Sequence, residues 1–142
     1  MQARDIMTAD HIWTCNEATE VREAAQMLAE HNIGSLPVLD NQGRLSGLIT
    51  DRDICCRVVA HGRGFETPVR DVMSKPVHMV HPDADVREVE RVMEEYKIRR
   101  IPVVDEDNRL QGYIAIADLA TKARGLLKSR SFTEVLEVIS TP

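Results

Sequence analysis

The sequence predicts an α/β fold of the α+β kind: two copies of one β-α-β-β-α unit, packed sheet to sheet about a pseudo-two-fold axis. Three observations predict it. The first is internal repetition. Arg4-Asp5-Ile6-Met7 recurs as Arg70-Asp71-Val72-Met73, Val21-Arg22-Glu23 as Val86-Arg87-Glu88, and Ile33, Pro37, Val38 and Asp40 as Ile98, Pro102, Val103 and Asp105, at an offset of 66 at the start and 65 afterwards. The second is that both copies pass in the same order from helical apolar spacing to short apolar runs bounded by turn residues. The third is Gly47-Leu48-Ile49-Thr50-Asp51-Arg52-Asp53, which reads as a buried strand running straight into a helix and returns in part as Gly112, Ile114 and Asp118. One unit alone buries too little apolar surface; pairing two copies resolves this and creates clefts between them.

The elements follow in order. Short extended segments open the copies at Ile12 to Cys15 and Val77 to Val80. A helix runs from about Glu20 to His31, with Val21, Ala24, Ala25 and Leu28 on one face. Val86, Val89, Val92, Met93 and Tyr96 repeat that period, and Asp85 with Glu88 has capping-box spacing. The middle strands are Ser35 to Leu39 and Arg100 to Val104, followed by polar turns at Asp40-Asn41-Gln42-Gly43 and Asp105-Glu106-Asp107-Asn108. The next strands are Leu45 to Ile49 and Leu110 to Ile114, and final helices start near Asp51 and Ile116. The second of these is expected to reach about Arg124; Gly125 breaks it, and Ser131 or Thr133 caps a last helix to Ile139. The chain thus divides into a first repeat at 1–60, a linker at 61–68, a second repeat at 69–122 and a helical tail at 123–142.

Composition narrows the function. Over 142 residues the net charge is −5 and aromatics are 4%, which argues against nucleic acid or an anionic membrane as the main partner. The N-terminus has no apolar targeting stretch and no run is long enough to span a bilayer, so a cytoplasmic location is expected. No nucleophile elbow, phosphate-binding loop, dinucleotide fingerprint or zinc-protease helix is present, so no enzyme activity is expected. His78 and His81 fall on opposite faces of an extended segment, and no metal site is expected. The cysteines are Cys15, Cys55 and Cys56. Cys55 and Cys56 are adjacent on a helix and point about 100° apart. They read as small buried apolar residues, with redox activity of this vicinal pair as the alternative.

The chemistry concentrates at Thr50 and Asp53. Thr50 is a good N-cap, and free N–H groups at a helix start suit a phosphate. An aspartate there can accept hydrogen bonds from a ribose diol. The same spacing also makes a capping box, in which the two side chains satisfy each other's backbone donors.

These residues carry a family resemblance. The duplicated Pro-Val-(Val/Leu)-Asp strand and the Gly-Leu-Ile-Thr-Asp-Arg-Asp motif resemble a tandem cystathionine-β-synthase (CBS) domain pair, also called a Bateman module, over about residues 1–122 of a stand-alone protein. The resemblance implies a non-catalytic regulatory sensor that binds adenosine-type ligands in the clefts between copies: AMP, ADP or ATP, and in some members S-adenosylmethionine or NAD. It implies no obligatory cofactor, the adenine nucleotide acting as regulatory ligand, and a regulated target protein that the sequence does not name. A pure interaction scaffold with empty pockets is a further alternative. By resemblance, one site combines Thr50 near phosphate and Asp53 on the ribose with Val77, His78, Ile98, Arg99 and Arg100, the guanidinium groups suiting phosphate. The mirror site combines Asp118 with Trp13, Thr14, Ile33, Gly34 and Ser35. There Ala115 replaces the threonine and Gly34-Ser35 stand for the basic pair, so weaker binding of phosphorylated ligands is expected. An alanine cannot complete a capping box, so capping is not expected to explain Asp118. Ile54, Val58, Val59, Leu119 and Leu126-Leu127 exceed what one sheet needs, which predicts a homodimer.

Overall fold

The computed structural model describes residues 1–75, 77–123 and 137. Two compact units divide the chain: Trp13–Val77, and Met1–Ile12 together with His78–Pro142. These cut the chain differently from the linear repeats, because the leading segment of each repeat packs with the sheet of the other.

In the unit Trp13–Val77, β1 (Cys15–Asn16), β2 (Ser35–Leu39) and β3 (Leu45–Thr50) form a sheet in that order, β1 parallel and β3 antiparallel to β2. Pro37 sits in the middle strand, yet β1 pairs only with Val38 and Leu39, so the missing proline N–H breaks no ladder. The helix α2 (Val21–Glu30) inserts Val21, Ala24 and Leu28 into a core with Leu36, Val38, Ile49 and Val58. Each large side chain buried this way contributes roughly 1.5–3 kcal/mol. After β3 comes one helical turn, α3 (Asp51–Asp53), which widens into a π-helical segment at Ile54–Val59; the Ala60 N–H donates to the Cys55 carbonyl, five residues back, at 3.0 Å. A 3-10 turn at Val69–Asp71 then brings Met73 onto Gly47, where an added Cβ would lie 2.5 Å from the Met73 sulfur.

The other unit contains α1 (Ala3–Ile6), α4 (Val86–Tyr96), β4 (Arg100–Val104), β5 (Leu110–Ala115) and α5 (Ile116–Lys122). Here β4 and β5 pair antiparallel, and the bulge between Val103 and Val104 repeats that between Val38 and Leu39. Its core joins Ile6, Val86, Val89, Met93, Ile101, Ile114 and Leu119, and Met7 lies against Gly112 as Met73 lies against Gly47.

The α/β class and the order of helices and strands agree with the sequence reading, and several details differ. The extended segment at Val77 to Val80 reduces to one parallel bridge, Val80 with Val103, and its counterpart is the short strand at Cys15–Asn16. The turn α1 is too short for apolar periodicity to reveal. Asp85 caps α4 by accepting the Arg87 N–H at 2.9 Å, with no reciprocal bond from Glu88. Tyr96 is 47% exposed, not a core residue. The expected end of the final helix at Arg124, the break at Gly125 and the last helix with its Ser131 or Thr133 cap lie outside the described residues. No helix among the described residues is long and apolar enough to cross a membrane.

Candidate functional site

Thr50 ends β3 and Asp53 ends the helical turn that follows, so the strand–helix junction fixes their geometry. The capping box is formed: the Asp53 N–H donates to Thr50 Oγ1 at 3.0 Å, and the Thr50 N–H to Asp53 Oδ2 at 3.0 Å. Asp53 is 6% exposed. A carboxylate so deep needs compensation, and more is supplied. Ser74 Oγ lies 2.9 Å from Oδ1 and 3.0 Å from Oδ2, and Arg57 Nε lies 3.8 Å from Oδ1. Arg57 also donates from Nη1 to the Val72 and Met73 carbonyls at 3.0 Å each, tying the junction to the segment that carries Ser74.

Asp118 shows the same design in part. The Ala115 N–H donates to Asp118 Oδ2 at 2.8 Å, and Lys122 Nζ lies 3.2 Å from Oδ1 while donating to the Ile6 carbonyl at 3.2 Å. The alanine methyl accepts nothing, but half of the capping box persists. Capping therefore does account for an aspartate at 118, against the expectation from sequence, because only the threonine-to-amide bond needs a hydroxyl. Lys122 stands to Asp118 as Arg57 stands to Asp53, a recurrence four residues past each aspartate that the sequence contains and the reading missed.

The strand registers decide which other residues lie beside each aspartate within a unit. Ser35 pairs with Thr50, and the Asp51 N–H donates to the Gly34 carbonyl at 3.0 Å. Arg100 pairs with Ala115, and the Ile116 N–H donates to the Arg99 carbonyl at 2.8 Å. Within one unit, then, Ile33, Gly34 and Ser35 lead into the strand beside Thr50 and Asp53. Within the other, Ile98, Arg99 and Arg100 lead into the strand beside Ala115 and Asp118. The resemblance instead groups the basic pair with Thr50 and Asp53. The signal for the observed neighbours was the hairpin itself, since a tight turn puts the first residue of one strand opposite the last of the next.

Trp13 and Thr14 open the unit that Val77 closes, and His78 opens the second stretch of the other unit. Trp13 stacks on His31 with centroids 3.6 Å apart and planes at 8°; His78 stacks on Tyr96 at 3.6 Å and 14°. The two stacks are at equivalent repeat positions, and Trp13 is 43% exposed.

Cys15 is buried, and burial, then the charge of Glu23, pushes its thiol up to about 12. Cys55 and Cys56 are exposed, which corrects the expectation that they are buried. The π-helical segment turns Ile54 and Val58 towards the core and leaves the two cysteines between them outside. His81 Nδ1 lies 3.1 Å from the Val104 carbonyl oxygen. Among the described residues no group of three or more His, Cys, Asp or Glu side chains is placed to hold a metal ion.

Comparison with known proteins adds the following. The family model for the CBS domain matches residues 3–59 and again 69–125. Hypoxic response protein 1 of Mycobacterium tuberculosis is 34% identical over 141 residues, 99% of this chain and 94% of its own length. The crystal structure of Hypoxic Response Protein I, with two coordinated zinc ions, superimposes with a TM-score of 0.77 at 37% identity, covering 89% of this chain and 99% of that one. The CBS domain pair of protein MJ0100, in complex with 5′-methylthioadenosine and S-adenosyl-L-methionine, gives 0.76 at 31% identity, covering 88% and 97%. CBSX2 in complex with AMP gives 0.77 at 25% identity, covering 89% and 98%.

Proposed function

This chain belongs to the CBS domain family, and we propose on that premise that it is a regulatory module that binds an adenosine-type ligand and catalyses no reaction of its own. Adenine nucleotides are the favoured ligands. Asp53 and Asp118 accept the ribose diol, Thr50 lies near the phosphate of its site, and Arg99 and Arg100 hold phosphate oxygens. Val77, His78 and Ile98, with Trp13, Thr14, Ile33, Gly34 and Ser35, complete the two sites. The observation that supports this reading is the register of Arg100 opposite Ala115, which brings the backbone of the basic pair beside the strand–helix junction that leads to Asp118. On that ground the phosphate-selective site is the one that contains Asp118. Support by analogy comes from MJ0100 and CBSX2, whose structures hold adenosine compounds. The reading keeps the cytoplasmic location and the unnamed regulated target expected from the sequence.

The test is a titration with adenosine and AMP, at two ionic strengths, of wild type, Arg99→Ala/Arg100→Ala, Asp53→Ala and Asp118→Ala. A charged hydrogen bond is worth about 1.5–3 kcal/mol, so wild type should favour AMP by roughly tenfold or more. The double arginine variant should lose that preference and much of the salt dependence. Asp118→Ala should weaken AMP more than Asp53→Ala does. An unchanged AMP preference in the arginine variant would place the phosphate elsewhere.

The exposed pair Cys55–Cys56 is the one observation that favours a thiol-based reading instead. Adjacent Cα atoms are about 3.8 Å apart, below the roughly 4.4 Å minimum usual for a disulfide. Closing a bond between them therefore requires the backbone to leave the helical path, which makes this the weaker reading.

We also propose a homodimer. Val58 and Leu119, each 1% exposed, are consumed by their own cores, which removes two residues from the sequence argument. Ile54, with Val59 at 63% and Phe65 at 58% exposure, edges an apolar groove of about 510 Å³ beside Ala25 and Ala29 of α2.

A further inference from the structure

Ser74 was no part of the sequence reading, yet its hydroxyl is the closest side-chain partner of the Asp53 carboxylate. We propose that Ser74 is a specificity-determining residue that competes with a ligand's ribose diol for Asp53; this rests on the adenosine reading of that site.

The geometry is that of a competitor. Distances of 2.9 Å to Oδ1 and 3.0 Å to Oδ2 put Ser74 Oγ close to equidistant from the two oxygens, near the plane that bisects them. A diol that binds a carboxylate in bidentate fashion approaches along that bisector, one hydroxyl to each oxygen. A hydroxyl already there excludes both. The remaining capacity is also partly used, since Oδ2 accepts the Thr50 N–H and Oδ1 faces Arg57. A carboxylate has about four lone-pair positions; the single Ser74 O–H fills one of them, and its oxygen stands where the diol's two hydroxyls would enter.

Releasing them requires no large motion. The backbone of Ser74 is held by an exchange of hydrogen bonds with Leu48, 2.8 Å from the Ser74 N–H to the Leu48 carbonyl and 3.2 Å in return. The side chain turns about a single bond between staggered wells. The closed and open carboxylates thus differ by one serine rotamer. The other aspartate is arranged differently. Asp118 receives the Ala115 N–H and Lys122, and the residue in the place of Ser74 is Thr8, which is exposed. Because apparent affinity falls in proportion to the fraction of molecules in the competent state, the Asp53 site answers to a higher ligand concentration than its own contacts dictate. One ligand then meets two thresholds in one chain.

The test uses the full chain in an Asp118→Ala background, so that only the Asp53 site reports. Adenosine and 2′,3′-dideoxyadenosine are titrated calorimetrically into the background protein and into Ser74→Ala, Ser74→Cys and Ser74→Thr made in it. Ser74→Ala and the near-isosteric Ser74→Cys, a weak donor, should bind adenosine about tenfold more tightly. Neither should change affinity for the dideoxy compound, and Ser74→Thr should behave as the background. A purely structural Ser74 would shift both ligands together. Adenosine affinity that is unchanged or lower without the hydroxyl overturns the proposal and leaves the adenosine reading standing. Failure of adenosine to bind any of these proteins, or the wild type, overturns both.

Discussion

At the scale of single residues, each aspartate has a structural duty that is separable from any ligand. Asp53 closes a capping box and receives Ser74, so Asp53→Ala should lower stability by about 1–2 kcal/mol. It should also weaken adenosine binding at its site by about 2 kcal/mol. Asp118 holds only the half box and Lys122, and Asp118→Ala should cost about 1 kcal/mol or less. Melts of both variants measure the first quantity and titrations the second; affinity unchanged in both would leave capping as their whole role. Cys15 yields a prediction in pH. Its thiol lies at about 12 against a reference of 9.0, so the fold favours the neutral form. That contribution is complete below pH 9.0 and is lost as pH rises towards 12. Melts at rising alkaline pH should show a loss that Cys15→Ala lacks. At neutral pH, iodoacetamide should modify Cys55 and Cys56 and spare Cys15. Such labelling reports exposure and does not separate a redox protein from a sensor.

At the scale of elements, Gly47 and Gly112 set the approach of each leading segment to its sheet. A Cβ at Gly47 meets Met73 Sδ at 2.5 Å and Cγ at 3.0 Å, and one at Gly112 meets the Met7 side chain. Gly47→Ala should destabilise by about 1–3 kcal/mol, and Met73→Ala in the same chain should recover part of it. Additive losses in a denaturant double-mutant cycle would show that the contact relaxes freely. The sequence made much of this scale legible. Repeated spacing located α2, β2, β3 and their counterparts within a residue or two, because amphipathic period and turn residues are local signals. A glycine inside a strand pattern signals a bend or a close backbone approach, and Gly47 carries that signal, though nothing local names Met73 as its partner. What stayed hidden depends on contacts distant in sequence. Ser74 reaches Asp53 only because Leu48 pairs with it. The exposure of Cys55 and Cys56 follows from Ile54 and Val58, four residues apart on one helical face, being the ones turned to the core. The strand neighbours of Arg99 and Arg100 were legible in the hairpin register.

At the scale of the whole molecule, the open question is what covers Val59 and Phe65. Val59 and Phe65, 63% and 58% exposed, together line an apolar groove, with the Arg22 guanidinium over the Phe65 ring at 5.5 Å. A second copy is the simplest cover, since two-fold contacts are the commonest among soluble homo-oligomers. With a chain mass of 16.0 kDa, light scattering at micromolar concentration should return twice that value. Linkage supplies a second reading. If folding and association are coupled, the melting temperature rises with protein concentration, because a partner that binds only the native chain stabilises it by mass action. Val59→Glu places a charge on the exposed patch without touching the core formed by Val58. It should return the mass to 16.0 kDa and flatten the concentration dependence of the melt, leaving the dilute-limit melting temperature near that of wild type. A wild-type chain that scatters as a monomer, with a melt independent of concentration, would refute the dimer and leave the groove to another protein.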